Sequence, residues 1–278
     1  MIKKFLNKVF KKREQAEVAI NQAERNLPDS VKTIPVKKHK INQDLISSAA
    51  LKTCEGLQSA GFDAYIVGGA VRDLLLNFKP KDFDIATNAE PEEVNKIFRR
   101  SRIIGKRFRL VHVLWGRETI EVSTFRGHHT NQGDASVNAT GRILRDNIFG
   151  SLEDDAVRRD FTANALYYNT KTQDVLDFHN GVADVKARLL RMIGDPVKRY
   201  QEDPVRMLRA VRLSAKLGLK IDKATEKPIA ELADLLQDVP PSRLFDEMLK
   251  LFLSGHAIES INTCLLYTSD AADDVSTV

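Results

Sequence analysis

At 278 residues the chain can bury one large core or two modest ones, and its 42% apolar and 29% charged residues are those of an ordinary globular protein. It contains no apolar run of about 18 residues, which excludes a membrane-spanning helix. Two distant cysteines, Cys54 and Cys264, exclude a cysteine-built zinc site and point to a reducing, cytoplasmic compartment. The net charge of +5 is uneven: residues 1–40 carry eleven Lys/Arg against four Asp/Glu, a net of +7, so the remainder nets −2. A basic extension of this kind suits an anionic partner.

In chain order, residues 2–10 set Ile2, Phe5, Leu6, Val9 and Phe10 on one helical stripe with lysines elsewhere. That pattern fits an RNA arm, a membrane-surface helix, a docking helix or a solvated extension. Residues 26–40 are polar and proline-marked and read as a linker, which puts the start of the folded region near Ile41. A helix over 43–60 follows, with Ile46, Ala50, Cys54 and Leu57 on one face and Gly61 ending it.

The apolar run at 62–67 reads as a buried strand that breaks at Gly68-Gly69, and Ala70 to Leu76 have the composition of a short helix. A glycine pair between strand and helix lets backbone come close to a ligand, with N–H groups aimed at phosphate. After the Lys79-Pro80-Lys81 turn, Asp82-Phe83-Asp84-Ile85 alternates as a half-buried strand does. Asp82 and Asp84 then share one face, and Phe83 and Ile85 the core. Two carboxylates a few ångströms apart repel by roughly 4 kcal/mol at an effective dielectric near 20. A divalent cation relieves that repulsion, and Mg²⁺ takes one or two carboxylates plus substrate phosphates. An Asp-x-Asp alone is more often a polar turn; the upstream glycines tip the reading towards phosphoryl or nucleotidyl transfer.

Asn88 to Pro91 cap a helix through Phe98, and strands follow at 101–104, 110–115 and 118–125. On the last strand Glu121 points away from Ile120 and Val122, available as a third carboxylate or as an exposed strand residue. Residues 127–147 form a long polar loop, whose His128 and His129 read as solvated. Ser151 and the acids after it start a helix. Residues 167–178 form a small hairpin, and Gly181 offers a hinge. Helices dominate from Gln201, with Glu202, Asp203 and Arg206 on one first-turn face and further helices near 223–237 and 241–253. Beyond Gly255 helical periodicity is lost, which reads as a truncated or read-through end over 256–278.

GGAVRD followed by DFDIAT resembles the signature of polymerase-β-type nucleotidyltransferases, in the class shared by bacterial poly(A) polymerases and CCA-adding enzymes. The resemblance runs from about Ile41 to Gly255 and takes in RRDFTANAL (with Ala163 where a larger aliphatic residue is usual), the DxxxGxxDL-like 177–185, and EDPVRMLRA. It implies an α+β fold: a nucleotidyltransferase head over 41–180, with a mixed sheet and flanking helices, followed by an all-helical neck over 181–255. It implies that Asp82 and Asp84 bind Mg²⁺ with Glu121 assisting, and that Asp160 is an active-site carboxylate. Gly68, Gly69, Arg72 and Arg159 would hold the nucleotide triphosphate, and Asp203 and Arg206 would present hydrogen-bonding edges to the base. The segment Ile103 to Val113 resembles the poly(A) polymerase version, so ATP and single-stranded RNA 3′ ends are the expected substrates. CCA addition to tRNA is the alternative, and a catalytically weak RNA-binding protein on the same scaffold a second.

Overall fold

The computed structural model describes residues 31–105, 109–127 and 148–273. The expected stripe at 2–10 and the two loop histidines lie outside them. Eight strands make one sheet in the order β1-β8-β7-β2-β3-β6-β5-β4. They are β1 (Lys32–Ile34), β2 (Ala64–Val67), β3 (Asp84–Thr87), β4 (Ser101–Ile104), β5 (Leu110–Trp115), β6 (Glu118–Thr124), β7 (Leu166–Tyr168) and β8 (Val175–Asp177). Only the β3–β6 pairing in this sheet is parallel; every other neighbour runs antiparallel.

All four residues of β2 are buried, because it is central and covered on both faces. One face packs under α1 (Val36–His39), α2 (Ser48–Ser59), α3 (Gly69–Leu75) and α4 (Pro91–Ile97). There Ala50, Cys54, Leu57, Val71, Leu74 and Val94 meet Ile66, Ile85, Ile120 and Val122. The opposite face is covered by α5 (Leu152–Arg158), whose Ala156 joins Tyr65, Val67, Ala86 and Tyr167. Ser151 caps α5 in a reciprocal capping box with Asp154, as its Ser-and-acid start predicts.

Beyond the sheet come α6 (Gly181–Lys186), β9 (Leu189–Leu190), α7 (Pro196–Glu202), α8 (Val205–Leu217) and β10 (Lys220–Ile221). Then follow α9 (Lys223–Glu226), α10 (Pro228–Glu231), a 3-10 turn at Ala233–Asp238, α11 (Pro241–Phe252) and α12 (Ala257–Asp273). Phe161, Leu190, Tyr200, Met207, Leu213 and Ile229 build a second core between the sheet and these helices.

Several expectations shift. Ordered structure begins before Ile41: β1 pairs with β8, and the buried His39 accepts from Ile41 N, its other ring nitrogen 2.8 Å from Gln173 O. The helix expected over 43–60 starts only at Ser48, because Ser47 caps it and Gln43–Leu45 is a 3-10 turn. Within the expected Asn88–Pro91 cap it is Glu90 that caps α4, in a capping box with Glu93, and Pro91 opens the helix. The helix expected over 223–237 is cut into three short pieces, with Pro228 opening the second. At Gly181 a Cβ would lie 2.1 Å from Thr162 O, so glycine is needed there for close approach. Beyond Gly255, Ala257–Asp273 is helical, and this α12 packs against α8.

Candidate active site

β2 and β3 bring the glycine turn and the acids together. Their antiparallel register sets Val67 opposite Asp84, so the break at Gly68-Gly69 begins where β3 starts. Gly68 has φ +70, a backbone conformation that only glycine adopts readily. The strand starts at Asp84, not at the expected Asp82. The alternation nevertheless holds: Phe83 and Ile85 are buried, and Asp82 and Asp84 are exposed. The parallel pair sets Glu121 beside Asp84, and paired positions face the same side. His112, the next position across, approaches Glu121 to 3.7 Å.

The carboxylates crowd one another. Asp84 is pushed up to about 6, first because surrounding protein displaces solvent, then by repulsion from Glu121; Arg159 opposes this and Asp82 adds to it. Neither the Asp82 nor the Asp84 carboxylate has a hydrogen bond or ion pair with a described residue. Such uncompensated hard oxygen donors fit a divalent cation. No group of three or more His, Cys, Asp or Glu side chains among the described residues is arranged to hold a metal. A cation on this pair would therefore draw its remaining ligands from water and substrate.

The arginines lie behind the glycines. Arg72 is buried, bonded to Asp73 at 2.6 and 2.9 Å and donating to Asn164 Oδ1, and its Nη2 would lie 3.4 Å from a Cβ on Gly69. Arg159 follows the last turn of α5 and pairs with Asp155 at 2.9 Å. It also donates to Tyr167 OH at 2.9 Å, and its Nη1 would lie 3.3 Å from a Cβ on Gly68. The Asp155 carboxyl sits below the usual range: burial would raise it, but Arg159, the Tyr167 hydroxyl and Arg126 N outweigh that.

Asp160 does not join the exposed acids. Arg209 donates to its Oδ2 at 2.6 and 2.9 Å, and Asn164 Nδ2 and Phe161 N donate to Oδ1. Asn164, which sequence reasoning passed over, therefore touches Arg72, Arg159 and Asp160 at once. Its only sequence signal was its place at the end of the RRDFTAN string.

Asp203 and Arg206 lie farther along. The first-turn face expected for Glu202, Asp203 and Arg206 is split, because a residue before proline is driven out of helical geometry: Asp203, ahead of Pro204, has φ −151 and ψ 91. Its carboxylate pairs with Arg243 at 3.0 Å rather than with Arg206. Arg206 bonds Glu202 at 3.1 Å and Arg199 O at 2.8 Å, and Arg199 in turn donates to the carbonyls of Arg158 and Arg159.

A mixed sheet with a glycine turn facing exposed acids, followed by helices, is the layout of a polymerase-β-type nucleotidyltransferase. The family model described as "Poly A polymerase head domain" matches residues 64–191, and "Probable RNA and SrmB- binding site of polymerase A" matches 218–263. "Poly(A) polymerase I" of Escherichia coli O6:H1 is 51% identical over 263 residues, 92% of this chain and 55% of that protein. The "CCA-adding enzyme" of Lactobacillus helveticus is 38% identical over 216 residues, 78% of this chain and 52% of that protein. The crystal structure of the Bacillus stearothermophilus CCA-adding enzyme in complex with CTP superposes with a TM-score of 0.65 at 35% identity, covering 77% of this chain and 50% of that one. The chain belongs to the family of bacterial poly(A) polymerases and CCA-adding enzymes. It spans about half the length of the curated relatives it matches.

Proposed function

We propose that the protein adds adenylate from ATP to single-stranded RNA 3′ ends in the bacterial cytoplasm, releasing pyrophosphate. The observation that carries this reading is the pairing of Asp84 with both Val67 and Glu121, which sets the acids against the Gly68-Gly69 turn. The 51% identity to a poly(A) polymerase, against 38% to a CCA-adding enzyme, favours adenylate over CCA addition.

In this reading Asp82 and Asp84 hold Mg²⁺, with Glu121 alongside. Two such ions, when bound, would lower the pKa of the terminal 3′-hydroxyl and steady the leaving pyrophosphate. Gly68 and Gly69 have no side chains to keep the triphosphate from the backbone. Arg159 supplies positive charge at that turn, while Arg72 and Asn164 hold the turn from behind. Asp160, committed to Arg209 and Asn164, positions this framework. Asp203 and Arg206 offer a carboxylate and a guanidinium that can match a base edge.

Purified protein offered each nucleoside triphosphate with labelled RNA tests the proposal. Repeated A addition to generic RNA is the expected outcome; C, C, A addition confined to tRNA would replace it with the CCA reading. Asp82→Ala with Asp84→Ala should lower extension by roughly a thousandfold or more, since the proposed metal site is lost. RNA binding should survive. Extension that persists in the double variant removes the metal assignment, and binding without extension in the wild type selects an idle RNA-binding scaffold.

A further inference from the structure

The outer edge of the sheet carries arginines that the proposed reaction does not use. Arg99, Arg100 and Arg102, with Ser101, Leu114 and Gly116, line a groove of about 390 Å³, and Arg117 adjoins it in the β5–β6 turn. These arginines are exposed, and none has an ion-pair or side-chain hydrogen-bond partner among the described residues. Arg72, Arg159, Arg209 and Arg212, by contrast, are each held by a carboxylate. Like charges gathered on one edge repel, and an anion relieves that repulsion.

Strand register sets this groove in line with the acids. Arg102 pairs with His112, His112 with Glu121, and Glu121 with Asp84. Paired residues share a face, so these side chains form one row across β4, β5, β6 and β3. The row spans three strand spacings, about 14 Å. Arg100 lies two residues before Arg102, and its carbonyl accepts from Leu114 N at 2.8 Å. β4 ends the sheet, so its outer backbone groups have no strand partner among the described residues.

We propose that this row is the track of an RNA phosphodiester backbone: the 3′ end lies at Asp82 and Asp84, and the arginine groove holds phosphates a few nucleotides upstream. The proposal rests on the RNA-extending reading above. Guanidinium groups grip phosphate oxygens in pairs, which suits a strand running past several of them. An acidic protein segment fits less well, because the groove's one large apolar side chain is the half-buried Leu114 and protein docking needs a buried anchor.

The test compares wild type with R99Q/R100Q/R102Q, using 5′-fluorescein oligo(A) of increasing length, without ATP, at several salt concentrations. Loss of three single-strand phosphate contacts should flatten the slope of log K against log[salt] by about 2. The affinity deficit should appear only with oligomers long enough to span the row, and R99K/R100K/R102K should restore the slope. Equal slopes and affinities in wild type and glutamine variant overturn the track. So does a deficit of the same size at every length, or one that the lysine variant shares. Oligo(A) binding that is kept while capture of a polyglutamate peptide is lost overturns it in favour of a protein partner. Because ATP is absent, a wild type that binds but never extends RNA sinks the reading of the site without deciding this comparison.

Discussion

Asp84 carries an electrostatic cost that a neutral side chain would not. Its carboxyl, raised from 3.8 to about 6, is penalised when charged in the folded protein. This raised group contributes stability below pH 3.8, and that contribution is lost as pH rises through 6. In metal-free protein at pH 7, Asp84→Asn should therefore raise the unfolding free energy by about 1 kcal/mol once solvent screening is allowed for, and the thermal midpoint with it. Thermal unfolding with chelator checks this; the gain should vanish below about pH 4 and shrink when a divalent cation is added to the wild type. Gly68→Ala should cost roughly 1–2 kcal/mol, because the positive φ strains any side chain, and denaturant unfolding measures it. At this scale the exposure of the acids was legible, since the alternation of polar and apolar residues buries Phe83 and Ile85 and leaves Asp82 and Asp84 outside. Asn164 was not: its three contacts arise where α5 stops and a 3-10 turn begins, a junction that no periodicity marks.

The elements with clear periodicity, α2, β2 and β4 to β6, stand within a few residues of where the sequence puts them. β1 escaped because three residues, Lys32–Ile34, are too few to show alternation and a proline follows. What makes them a strand is the free edge of β8, information held in residues far along the chain. Removing residues 1–40 should therefore destabilise the head by roughly 1–3 kcal/mol. The check is a lower thermal midpoint together with faster amide exchange in β8; unchanged exchange there would mean that β1 contributes no protection. Asp203 is a similar case: spacing put it on a first-turn face with Arg206, but Pro204 divides α7 from α8 and the carboxylate pairs with Arg243.

Across the whole molecule, the RRD segment ties the sheet to the helices that follow. Arg209 on α8 holds Asp160, and Arg199 on α7 holds the carbonyls of Arg158 and Arg159. Arg209→Met leaves Asp160 largely buried without its counter-ion, which should cost about 3 kcal/mol; adding Asp160→Asn should recover much of it. The sign with pH is opposite to that of Asp84. Burial would raise the Asp160 carboxyl, but Arg209, Asn164 and Phe161 N hold it below 3.8. Its contribution is present above that value and lost as pH falls through its depressed pKa. Urea titrations of wild type and Asp160→Asn from pH 7 to pH 3 should therefore converge in acid.

The single parallel pairing in the large sheet has a further result. Asp84 and Glu121 sit on adjoining strands, yet the polypeptide leaves β3, builds α4, β4 and β5 as an outward excursion, and only then returns as β6. The spacing of the two carboxylates is set by the ladder between β3 and β6, not by the length of that excursion. Insertions or deletions in its turns can remodel the rim of the protein while these two acids keep their spacing.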